Sequence, residues 1–112
     1  MSNRSEARYH QMKREQSHFN ERVRERLWPV FGPIDPEQLF NALQDHVETG
    51  HQYLSYVCRI SRDGKRLWRV EVPPTGHFYA VVRHVEGRVF PMTILLPGMK
   101  VGREGKSTIT LR

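Results

Sequence analysis

Apolar and polar residues alternate in four runs after residue 50. One alternate set is apolar: Leu54, Tyr56, Cys58 and Ile60; Trp68, Val70 and Val72; Phe78, Ala80 and Val82; Phe90, Met92, Ile94 and Leu96. The intervening set collects Arg59, Arg69, Glu71, His77, Tyr79, Arg83 and Thr93. Period-two alternation marks half-buried strands, so each set is expected to share one face of a sheet. The strands are predicted at 52–61, 66–72, 77–85 and 88–96. Asp63-Gly64 suits the positive φ of a tight hairpin, Pro73-Pro74-Thr75-Gly76 stops pairing, and Glu86-Gly87 makes a second tight turn. Pro91 points to an edge position or a bulge for the fourth strand.

The first half follows a helical period. Residues 4–28 lack Gly and Pro and are rich in good helix formers, with Phe19, Val23 and Leu27 at four-residue spacing. Before residue 16 only Tyr9 and Met12 are large and apolar, so that part is expected to fray or to order on a partner. Pro29 is expected to end the helix at Trp28, and Gly32-Pro33 makes a turn. Asp35 is a good N-cap with Pro36 at the first helical position and Gln38 in place for a capping box. The second helix runs to about Glu48, burying Leu39, Leu43 and Val47 beside Phe40 and Ala42, and Gly50 ends it. Ser107–Leu111 reads as a short fifth strand.

These elements predict an α+β domain: two N-terminal helices packed on one face of a four-stranded antiparallel meander. Residues 1–16 form a charged helical extension, 17–97 the domain, and 98–112 a basic C-terminal loop and strand.

Composition sharpens this picture through charge. The chain of 112 residues carries a formal net charge of +6. Residues 29–97 are balanced, with seven basic and seven acidic residues, while residues 1–28 and 98–112 each contribute +3. A basic balance favours a polyanion such as RNA, DNA or anionic lipid. The single cysteine, Cys58, excludes an internal disulfide and is expected to be a buried thiol, which fits a reducing cytoplasm. No apolar run is long enough for a signal peptide or a membrane span.

Candidate chemistry is sparse. His18, Arg22 and Arg26 form a row at four-residue spacing on the first helix, either an acid/base pair with an anion clamp or a solvated face. None of the six histidines pairs with another at metal-binding spacing, so no metal or cofactor is expected. Gly102-Arg-Glu-Gly-Lys-Ser has too few residues between its glycines for a phosphate-binding loop. It reads as a flexible basic loop. On the polar sheet face, Glu71 among arginines is a base or a charge partner, and Tyr79 between His77 and Arg83 is a stacking platform or a plain half-exposed side chain. An open antiparallel face is also polar as a matter of course.

The order helix, helix, four-stranded antiparallel sheet resembles the small ribonuclease superfamily of RelE-like toxins and barnase-like domains. The resemblance rests on His18, Arg22 and Arg26, on the capped helix from Asp35, and on Val89-Phe-Pro-Met-Thr-Ile-Leu-Leu-Pro, and spans residues 17–97. It implies RNA cleavage without metal, with His18 or Glu71 as base, Arg69 and Arg83 stabilising the transition-state charge, and His77 or Tyr79 as acid, base or platform. The chain departs from that pattern in its extension before residue 16 and its continuation past the fourth strand.

The expectation is a cytoplasmic RNA-binding domain, DNA being the second choice, acting as a metal-independent endoribonuclease of toxin type. Its nucleic-acid contacts would come from Arg22, Arg26, Arg59, Lys100, Arg103 and Lys106. Two alternatives stand beside it. One is a non-catalytic nucleic-acid-binding module. The other is a small phage or mobile-element protein that binds a host protein, with Trp28 and Phe31 as anchors; an antitoxin is the further protein partner that a toxin would imply.

Overall fold

The computed structural model describes residues 3–112, with side chains from residue 13 onward. The Tyr9, His10 and Met12 side chains therefore lie outside the described residues. Helix α1 spans Asn3–Arg22, a π-helical turn covers Val23–Leu27, and a single helical turn, α2, covers Trp28–Phe31. Helix α3 spans Pro36–Thr49. The strands are β1 (Leu54–Arg59), β2 (Lys65–Val72), β3 (Gly76–Val85) and β4 (Arg88–Leu95), paired in chain order as an antiparallel meander. A separate hairpin of β5 (Lys100–Arg103) and β6 (Lys106–Thr110) follows. The α+β architecture expected from the patterning is present.

Pro29 does not stop the helix at Trp28, which keeps helical angles (φ −58°, ψ −42°). The Trp28 amide donates to the Val23 carbonyl, five residues back, and this wider π turn resets the hydrogen-bond ladder. Pro29 then sits in the first turn of α2, where a missing N–H costs nothing. The Asp35 carboxylate caps α3 as expected, accepting from the Glu37 amide at 2.9 Å and the Gln38 amide at 3.4 Å.

One face of the meander packs on the helices. Phe19, Val23, Leu27 and Leu43 are buried against Phe78, Ala80, Val82, Val89 and Ile94. The Phe19 and Phe40 rings meet edge-to-face at 5.5 Å. The Arg26 guanidinium donates to the Ile94 carbonyl on the outer strand β4, satisfying an edge acceptor.

The face assignment from simple alternation needs two corrections. A register shift between Tyr56 and Cys58 makes Val57 an extra residue in β1, so Cys58 and Ile60 pack on the far side of the sheet. Val82 pairs with Pro91 while Val81 pairs with Thr93, so Met92 is the extra residue in β4. Met92 thus joins the far side, and Val89 takes the buried place expected of Phe90. Each bulge inverts the parity of everything beyond it. Pro91 stands at this bulge on an edge strand, as its chemistry demanded.

The second face is not open. Leu67, Tyr79 and Val81 form a second core with Val101 and Leu111, flanked by Cys58, Ile60, Met92, Leu95 and Ile109. The β5–β6 hairpin covers this face, and the segment read as a flexible basic loop is its strands and turn. The Glu104 amide donates to the Ile60 carbonyl at 2.8 Å, and the Arg62 amide to the Glu104 carboxylate at 2.9 Å, tying the two hairpin tips together.

Gly64 in the β1–β2 turn (φ +97°) is the glycine whose absence of a side chain matters most. A Cβ there would lie 2.2 Å from the His84 carbonyl oxygen, and the His84 amide donates to the Gly64 carbonyl at 2.9 Å. His84 is half-buried. Burial first, and the Arg66 charge second, hold its pKa below the ordinary 6.5, with Glu48 pulling the other way. The unfolded chain therefore takes up this proton before the folded one. The corresponding stability is full above about pH 6.5 and is lost as pH falls through the depressed folded value. Urea melts between pH 7 and 5 should show this slope, and His84→Gln should flatten it.

Candidate functional site

Strand pairing assembles four of the predicted site residues on the sheet face away from the helices. Arg69 lies directly opposite Tyr79, and Glu71 directly opposite His77. Side chains opposite one another in an antiparallel pair have Cβ atoms about 4.5–5.5 Å apart, so the four form one cluster. Arg69 Nε donates to Glu71 Oε1 at 2.6 Å. This hydrogen bond, with a smaller contribution from Tyr79, raises the pKa of the Arg69 guanidinium above its ordinary value. The His77 and Tyr79 rings meet edge-to-face at 5.5 Å.

Both ring side chains converge on one oxygen. The main-chain oxygen of Arg112 lies 2.6 Å from His77 Nε2 and 2.7 Å from Tyr79 Oη. A carbonyl oxygen only accepts, so Nε2 carries the hydrogen in this arrangement. Tyr79 itself is 5% exposed, which corrects its reading as a stacking platform. It is a buried hydroxyl donor beneath the last strand. Arg69 and Glu71 keep more than a third of their side-chain surface in solvent.

The other candidates lie elsewhere. His18 is exposed on α1 in the helical layer, separated by the sheet from the Arg69–Tyr79 cluster. Arg22 pairs with Glu25 at 2.7 Å, and Arg26 holds the β4 edge. The His18, Arg22 and Arg26 row therefore does not meet the sheet cluster. Arg83 is drawn into ion pairs with Asp63 and, at 3.6 Å, with Glu15. Hydrogen bonds from Ser61 first and Arg83 second hold the Asp63 carboxyl at a pKa of about 2. This network ties α1, the β1–β2 turn and β3, so the Arg83 guanidinium already has two carboxylates to serve. Lys100 and Lys106 are exposed on the C-terminal hairpin, and Arg103 donates to the Ser107 carbonyl at 2.9 Å. Arg59 is exposed on β1 and donates to the Ser61 carbonyl at 3.0 Å.

Among the described residues no group of His, Cys, Asp and Glu side chains is arranged to hold a metal ion. No helix among them is long and apolar enough to cross a membrane. A cleft of about 250 Å³ opens between α1, α3 and β4, lined by Lys13, Glu15, Gln16, Phe40, Gln44, Phe90 and Pro91. None of the residues of the sheet cluster lines it. The Arg112 oxygen is the feature that sequence reading missed, because nothing local ties residue 112 to strand β3. Leu67, Val81 and Leu95, apolar residues at positions between those of the apolar set, are the signal in the sequence that this face is covered.

Comparison with known protein families, curated proteins and solved structures finds no match.

Proposed function

We propose that this chain is a small RNA-binding domain that cleaves RNA without metal at the Arg69–Glu71–His77–Tyr79 cluster. The observation that carries the reading is the shared oxygen: an imidazole and a phenol aim donors at one point beside a carboxylate–guanidinium pair. That point suits a phosphoryl or leaving-group oxygen. Glu71 would take the proton of the ribose 2′-hydroxyl as its oxygen attacks phosphorus. The bond from phosphorus to the 5′-oxygen breaks, and His77 as imidazolium gives its proton to that oxygen. The products are a 2′,3′-cyclic phosphate and a free 5′-hydroxyl. Arg69 and the Tyr79 hydroxyl would stabilise the charge that builds on the phosphoryl oxygens.

Substrate must displace the Arg112 oxygen from the two donors, which makes the C-terminal residue a competitor for the site. A cytoplasmic setting, and an antitoxin or host protein as partner, belong to this proposal. The occupied donors equally favour a second reading, a module that binds nucleic acid and does not cut it. Incubation of the pure protein with labelled total RNA in EDTA separates the two. Discrete fragments with cyclic-phosphate ends support the nuclease, and intact RNA with retained binding supports the module.

A further inference from the structure

On the helix side of the sheet, the outer end of the β1–β2 ribbon carries a surface of a different kind. Tyr56 pairs with Trp68, and Arg59 pairs with Arg66. Trp68 packs on the helix-side core, and Arg66 lies opposite Val82 of that same core, so all four share this face. Deeper in the sheet Ala80 and Val82 are fully buried, whereas Tyr56 is 51% exposed and both arginines are exposed. The Tyr56 and Trp68 rings meet edge-to-face at 5.4 Å, which holds the tyrosine in place with half its surface in solvent.

The two guanidiniums are the unusual feature. Like charges directly opposite one another in a sheet are destabilising, and the ion pairs of the described residues place no carboxylate on either. Arg59 uses its Nε on the Ser61 carbonyl, a bond that leaves its two terminal nitrogens uncommitted. The positive field at this end reaches His84, and the opposing field there comes from Glu48. A multivalent anion between the arginines would remove the repulsion. Same-face residues follow each other at about 7 Å along a strand, so a base on Tyr56 brings its phosphate within reach of both guanidiniums.

We propose that Tyr56, Trp68, Arg59 and Arg66 form a binding surface for single-stranded nucleic acid, separate from the His77 cluster on the opposite face. Tyr56, braced by Trp68, supplies a stacking platform, and the arginine pair supplies a phosphate clamp. The choice of a nucleic acid as occupant rests on the RNA reading above. An acidic protein segment would satisfy the arginines, but only a nucleic acid pairs a flat ring with an anionic phosphate in every one of its units. Neither stacking nor the phosphate clamp reads the 2′-hydroxyl, so single-stranded DNA is bound as well.

The test is a fluorescence anisotropy titration of the full chain with a labelled oligothymidylate, which has no 2′-hydroxyl to cleave. The single strand should bind more tightly than the same oligomer annealed to its complement. Tyr56→Ala should weaken binding about 5- to 100-fold with the salt slope unchanged, and Tyr56→Phe should restore it. Arg66→Gln should weaken binding and flatten the slope of log affinity against log salt by about 0.7, one phosphate contact in a single strand. Thermal melts by circular dichroism confirm that the variants fold. Absence of oligothymidylate binding, equal affinity for duplex, or unchanged binding in both variants would overturn the surface. So would displacement by polyglutamate as effective as by the oligomer, which would assign the face to an acidic protein. Oligothymidylate binding without RNA cleavage leaves the surface standing and removes the nuclease.

Discussion

His77→Ala is expected to lower RNA cleavage in EDTA by about 10²–10⁴-fold, the usual worth of a positioned general acid. Fold and binding should survive, because His77 lies in the half-exposed part of β3 and its partner Arg112 is exposed at the end of the chain. Glu71→Gln should cause a loss of the same order while keeping a hydrogen-bond acceptor for Arg69. Cleavage by His77→Ala equal to that of the unaltered chain would take the chemistry away from this cluster. Arg83→Ala tests the same point from the other side. Its guanidinium serves Asp63 and Glu15, so its loss should reach stability before it reaches cleavage.

Phe19→Ala is expected to cost about 3–5 kcal/mol in urea unfolding, the range for a buried aromatic. Phe19 has no exposed surface and meets Phe40 edge-to-face, joining α1 to α3 above the sheet. A loss of that size is a large share of the 5–15 kcal/mol that holds a typical domain folded. His18→Ala, one residue earlier, should stay within about 0.5 kcal/mol because that side chain is exposed. Equal losses for the two would show that α1 buries a different face. The pair also reads on function, since a merely solvated His18 should leave RNA cleavage unchanged.

Local chemistry already contained most of the secondary structure. Asp35 and Pro36 mark the start of α3 because a carboxylate cap and a proline both relieve the unsatisfied amides of a first turn. Asp63-Gly64 and Glu86-Gly87 set the hairpins because their backbone adopts positive φ, at Gly64, Glu86 and Gly87. The four-residue spacing of Phe19, Val23 and Leu27 marked the buried stripe that runs from α1 through the π-helical turn. Of the candidate site, Arg69, Glu71, His77 and Tyr79 were legible as a group because alternation within β2 and β3 is unbroken and puts them on one face.

What the tertiary structure decided is everything that depends on contacts between distant segments. Alternation assigns faces only while parity holds, and an extra residue at Val57 or Met92 reverses it. The closing of the far face by Val101 and Leu111 required the C-terminal hairpin to fold back across the sheet. The partners of Arg83, the shared oxygen of Arg112 and the meeting of Arg59 with Arg66 likewise join residues far apart in the chain or set by a shifted register. The sequence by itself determined the elements and the alternating faces, through short-range backbone preference and the burial of apolar side chains. Which polar groups meet, and which face remains in water, followed only from three-dimensional packing, because charge pairing and solvent exposure are properties of neighbours in space.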